Sequence, residues 1–161
     1  LGDIIFEDEC GDRFESLMNE LVFKKLYILW GNHNSGHGIT YKKILREKFP
    51  NVFGVGAEVY PLEWNINSEK TVVFLPQYAE VSINRTFYVL SHYPIISHNK
   101  MAKESIHLSG HTHSNLPLTN KDTGDGKRLD TGWDSFGRPI SFHEVKNLMR
   151  HRPIDARDHH R

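Results

Sequence analysis

The sequence predicts an α/β protein, and three observations carry that prediction. Leu26-Tyr27-Ile28-Leu29-Trp30 and Thr86-Phe87-Tyr88-Val89-Leu90 are near-continuous apolar runs of strand length, the pattern of strands buried on both faces. Gly11 to Phe23 instead has helical periodicity, with Phe14, Leu17, Met18 and Leu21 at i, i+3, i+4 and i+7. The strand-like runs also stop abruptly at polar, ligand-capable residues. In α/β folds the carboxyl ends of strands are where sites are placed.

The elements follow in order. Leu1-Gly2-Asp3-Ile4-Ile5 reads as the end of a strand, with Asp3 at its carboxyl end. The Gly11–Phe23 helix sets Glu15 and Glu20 on its polar face. The run ending at Trp30 leads into Gly31-Asn32-His33-Asn34, and Ser35, Gly36 and Gly38 make a loop. Tyr41, Ile44, Leu45 and Phe49 mark a second helix, which Pro50 ends. Glu58-Val59-Tyr60, Thr71–Leu75 and Val81-Ser82-Ile83 read as strands of antiparallel character, the first two bounded by Pro61 and Pro76. Thr86–Leu90 runs into Ser91-His92-Tyr93-Pro94, and Ile106-His107-Leu108 runs to Gly110-His111-Thr112-His113. Lys127 to Thr131 is a last strand. Ser141-Phe142-His143-Glu144 is a capping-box sequence, and Val145, Leu148 and Met149 give the helix after it an apolar face. Residues 1–150 are expected to form a single domain. Residues 151–161 form a polar tail, frayed from Arg150 onward.

Composition narrows the function classes. A chain of 161 residues is long enough to bury a proper core. Twenty basic and twenty acidic residues cancel, so neither a basic track for nucleic acid nor an acidic tail is present. No apolar run is long enough to span a membrane. The single cysteine, Cys10, cannot form an internal disulfide, which makes the cytoplasm the expected compartment. Eleven histidines is a high count. His151, His159 and His160 read as surface decoration, and His37, His98 and His107 as ordinary polar histidines. Trp30, Trp64 and Trp133 read as packing or pocket rim, and Arg13 as a solvated helix residue.

Four strand ends deliver polar donors: Asp3; Asn32 and His33; His92; His111 and His113. Two histidines at i and i+2 after a glycine can turn both imidazoles toward one point. Asp, Asn and His donors without a thiolate suit borderline divalent metals such as Mn, Fe, Zn, Ni or Co. Two such metals about 3.5–4 Å apart can activate a water and clamp the oxygens of a phosphoryl group.

In order along the chain, Gly2-Asp3, Gly31-Asn32-His33, His92 and Gly110-His111-Thr112-His113 resemble the later sequence blocks of the calcineurin-like metallophosphoesterases. Leu1-Gly2-Asp3-Ile4-Ile5-Phe6 and Pro139-Ile140-Ser141-Phe142-His143-Glu144 look most like the small single-domain bacterial and phage members. The resemblance implies a four-layer α/β/β/α sandwich of two mixed sheets. It also implies a dinuclear phosphoesterase holding two divalent ions, manganese first among them, with a metal-bridging hydroxide attacking a phosphate ester. Asp3 would bridge both metals; Asn32, His92 and His111 would complete one shell, and His113 would bind the other metal. His33 would sit near the leaving-group oxygen and act as general acid or stabilise developing charge, and Asn32 and His33 would contact substrate.

Two departures stand out. The family's first block, an Asp-x-His, is not in this chain, which opens on Leu1 rather than methionine. The expectation is that the working protein carries that block on a strand upstream. The residue after Gly-Asn-His is commonly acidic in the family and is Asn34 here. The expected substrate is a small phosphodiester. A phosphomonoester or phosphoprotein substrate, or a non-catalytic scaffold that keeps the fold, are the alternatives.

Overall fold

The computed structural model describes residues 10–29, 31–32 and 62–154, main chain only at 10–13 and 62. The expected strand end at Asp3, the His33 site, the helix over Tyr41–Phe49 and the strand at Glu58–Tyr60 lie outside these residues. The chain is a mixed α/β protein with two mixed sheets and few helices among the described residues. Its contacts divide it into two compact units, Gly2–Pro76 and Gln77–Arg161.

In the first unit, helix α1 (Cys10–Glu20) precedes strand β1 (Lys25–Leu29), followed later in the chain by β2 (Leu62–Asn65) and β3 (Thr71–Leu75). The sheet order is β1-β3-β2, with β1 parallel and β2 antiparallel to β3. The predicted i, i+3, i+4 spacing puts Phe14 and Met18 on the buried side of α1. They pack with Ile28, Trp64, Val72 and Phe74 into one apolar cluster. Phe14 stacks on Trp64 at 6.1 Å between ring centroids, so Trp64 is a packing residue. Fully burying a side chain of this size contributes about 1.5–3 kcal/mol.

One strand expectation needs correction here, and one strand comes in addition to those expected. β1 is an edge strand of the described sheet and Tyr27 is 58% exposed, so burial on both faces holds at Ile28 and Leu29 only. β2 was not anticipated; Leu62-Glu63-Trp64-Asn65 is a short alternating segment directly after Pro61, and its polar alternates face solvent.

The second unit holds β4 (Tyr78–Ile83), β5 (Thr86–Ser91), β6 (Ile106–Ser109) and β7 (Arg128–Asp130), hydrogen-bonded in chain order. β4 and β5 form a hairpin through Asn84-Arg85, both at positive φ, 49° and 64°. That pair of left-handed residues matches the right-handed twist of the strands it joins. β5, β6 and β7 are mutually parallel, so their carboxyl ends share one edge. One-turn helices cover Met101–Lys103 and Pro117–Thr119, and a short helix, α2, covers Trp133–Phe136. The predicted capping box is present: Ser141 starts α3 (Phe142–Met149), accepting from the Glu144 N–H while Glu144 accepts from the Ser141 N–H. Val145 and Met149 are buried, and Phe142 packs on Tyr88.

The frayed end expected from Arg150 does not hold at Arg152. Its guanidinium donates to the carbonyls of Arg128, Asn120 and Lys121, and desolvation lowers its pKa. No helix among the described residues is long and apolar enough to cross a membrane.

Candidate functional site

The carboxyl edge of β5, β6 and β7 is built from ladder hydrogen bonds that continue past the strands. The Gly110 N–H donates to His92 O at 3.1 Å, and the Thr131 N–H donates to Ser109 O at 2.8 Å. His92 is therefore fixed one residue beyond β5, buried at 2% exposure. His111 sits two residues beyond β6. His92 Nε2 and His111 Nδ1 lie 3.1 Å apart. Two nitrogen ligands of one ion, at bond lengths of about 2.1 Å, stand about 3.0–3.4 Å from each other. The separation thus fits a shared cation as well as it fits the hydrogen bond that the pair makes. Tyr93 sets its ring edge-on to both imidazoles, 5.0 Å from His92 and 4.5 Å from His111.

His113 is turned elsewhere. Its Nδ1 meets Asp134 Oδ2 at 2.6 Å. With Nδ1 protonated and held by a carboxylate, the lone pair is on Nε2. This is the tautomer and orientation that metal-ligating histidines commonly take from their outer partners. The donor types suit a divalent ion. However, no three His, Cys, Asp or Glu side chains converge on one point among the described residues.

The loop that carries these histidines is strained and clamped. His111, His113 and Ser114 have positive φ values of 67°, 49° and 61°, a region that costs a non-glycine residue roughly 1 kcal/mol or more. Asp130, fully buried at the end of β7, accepts from the Thr112 hydroxyl at 2.6 Å, the Ser114 N–H at 3.2 Å and the Gly132 N–H at 2.8 Å. Gly132 is required for that approach, because a Cβ there would lie 2.9 Å from Asp130 Oδ1. Ser114 and Ser135 hydroxyls, 2.5 Å apart, tie the loop to α2.

Beneath the site lies a buried polar layer. His107, expected to be an ordinary polar histidine, is fully buried on β6. Its Nδ1 donates to Val89 O at 3.1 Å and its Nε2 accepts the Ile95 N–H at 2.9 Å. Burial pushes its pKa down to about 4. Arg128, fully buried on β7, donates to the carbonyls of Ile95, Ile96 and Asp125. Together these two side chains hold the start of the segment that leaves His92.

The predicted residues therefore divide. His92 and His111 come together, His113 stands beside Asp134, and Asn32 is described in the other unit, two residues beyond Trp30. Asp3 and His33 fall outside the described residues. Asp130 and Asp134 were missed. Asp130 had a signal, since it ends a strand in a polar residue just as His92 and His111 follow theirs; Asp134 had none. Comparison of the chain with known protein families, with curated proteins and with solved structures finds no match.

Proposed function

We propose that the chain is a dinuclear metal-dependent phosphoesterase acting on a small phosphodiester, with the four-layer sandwich fold of the calcineurin-like family. The observation that carries the reading is the His92–His111 pair, 3.1 Å apart at the carboxyl edge of parallel strands. The ordered motif resemblance supports it. His92 and His111, with Asn32 and Asp3, would hold one ion, and Asp3 with His113 would contribute to the second. When bound, the ions supply charge neutralisation and water activation. The chain's own residues orient and tune: Asp134 fixes the His113 tautomer, Asp130 holds the loop, and Tyr93 walls the histidine pair. His33 donates the proton that a leaving alkoxide needs. Manganese is the proposed metal and the cytoplasm the proposed compartment.

The test is hydrolysis of an aryl phosphodiester and an aryl phosphomonoester with added manganese, alongside metal analysis. The reading expects metal-dependent turnover, faster on the diester. Metal binding with no turnover on either ester would support the scaffold alternative instead.

A further inference from the structure

The opposite edge of the β4–β7 sheet carries a second concave site. Thr86 opens β5, Ile106 opens β6 and Lys127 stands just before β7. These strand starts and helix α3 line a half-open cleft of about 410 Å³. That volume lies within the range of about 300–1,000 Å³ typical of small-molecule sites. β5 is six residues long, so at about 3.3 Å per residue the cavity lies roughly 20 Å from His92. It is separate from the site described above.

The lining has a division of labour. His143, Lys146 and Asn147 on α3 and Arg150 at its C-cap recur at i, i+3, i+4 and i+7 and all line the cavity. Lys146 and Arg150 are like charges four residues apart, an arrangement that destabilises a helix. Neither makes an ion pair among the described residues. The helix carboxylate that could answer them, Glu144, is engaged by Arg138 and by the capping box. Lys127 is also occupied, donating to Met149 O at 3.1 Å. Two cations therefore remain available; the Asn147 amide beside them has one N–H near His143 Nδ1 at 3.4 Å and a second to offer, and the Thr86 hydroxyl is shared with Tyr88. Ile106 and Met149, both almost fully buried, form an apolar floor. Glu104 is the one carboxylate in the lining; it suits a hydroxyl of a ligand and disfavours a second anionic group.

We propose that this cleft binds a small organic phosphate, with Lys146 and Arg150 on the phosphate and Ile106 and Met149 beneath the organic body. A planar guanidinium and an ammonium side by side are the usual partners of a phosphate group. Inorganic phosphate alone would leave the apolar floor uncovered.

The experiment is calorimetric titration of the full chain, in chelator, with adenosine 5′-monophosphate, inorganic phosphate and adenosine. The proposal expects saturable binding of the monophosphate, weaker binding of phosphate and none of adenosine. Lys146→Gln and Arg150→Gln should each weaken the monophosphate about tenfold without moving Tm, since both side chains are exposed. Absence of saturable binding, equal affinity for phosphate and monophosphate, or affinity indifferent to both substitutions would overturn it. Because metal is removed, the outcome does not depend on whether the chain hydrolyses phosphate esters.

Discussion

The two units bury different chemistry. In Gly2–Pro76 the described core is an apolar cluster of Phe14, Met18, Ile28, Trp64, Val72 and Phe74. In Gln77–Arg161 the sheet buries His92, His98, His107, Arg128 and Asp130 as well as its apolar residues. Every buried polar or charged residue among those described lies in that second unit. Apolar packing is non-directional, and it holds a helix on a sheet without specifying any one atom's position. Most buried polar groups are hydrogen-bonded, and those that bond to the main chain here fix particular backbone atoms. Ile95 N–H is fixed by His107, the Ile95 and Ile96 carbonyls by Arg128, and Ser114 N–H by Asp130. The first unit is built to pack and the second to place side chains at one sheet edge.

Substitutions on each side should break this contrast in different ways. The largest effects on stability belong to full truncations. Phe74→Ala in the first unit should cost about 3–5 kcal/mol by chemical denaturation. Arg128→Ala in the second should cost a similar amount, by leaving buried carbonyls without donors. Only Arg128→Ala should also disturb the His92 imidazole resonance in NMR spectra. An unchanged His92 environment in that variant would remove the positioning role assigned to the buried layer.

Next comes Asp130→Ala. Losing an acceptor shared by three donors should destabilise the unit by about 2–3 kcal/mol, and the left-handed residues His111, His113 and Ser114 should relax. Hydrogen exchange at the Ser114 amide reads this directly, with faster exchange expected. Asp134→Asn should be milder still. Its pair with His113 is exposed, so stability should stay within about 0.5 kcal/mol of wild type. Metal affinity should nevertheless fall about 10–100-fold, as when an outer partner of a ligating histidine is removed. Titration with manganese checks it.

The pH dependence separates two groups within the second unit. Folding lowers the pKa of His107 from about 6.5 to about 4, so the unfolded chain binds the extra proton first. The neutral imidazole's contribution is fully present above pH 6.5 and is lost as pH falls from there through about 4. Glu144, held down to about 2 chiefly by its hydrogen bond from Arg138, loses its contribution in a lower window, beginning near 4.5. His107→Gln should flatten the stability profile between pH 6.5 and 4.5. A slope that survives in that window would assign the titration to another group.

Periodicity made much of the fold legible. Thr71–Leu75 has the predicted bounds. α1, β5, β6, β7 and the capped α3 fall within two or three residues of theirs. β2 was hidden because four residues after a proline give too short an alternation to separate from a turn. Tyr27 shows the limit of reading an apolar run: a side chain of the right type on β1, the outer strand of the sheet among the described residues, is 58% exposed. The site was half legible. His92, His111 and His113 followed strands that could be seen, but the carboxylates that orient them come from β7 and α2, and those contacts span 16 to 21 residues of sequence. Nor did the pattern show that His107 would be locked neutral inside the sheet, since its role depends on Val89 and Ile95 from β5 and the segment after it.

The most direct measurement of the central claim is manganese-dependent hydrolysis of an aryl phosphodiester by the wild-type chain and by His111→Ala, with metal content determined for both. The account predicts turnover that chelation abolishes and manganese restores. In His111→Ala, metal content should be lower and turnover almost lost. Undiminished hydrolysis by demonstrably metal-free protein, or wild-type metal content and activity in His111→Ala, would contradict it.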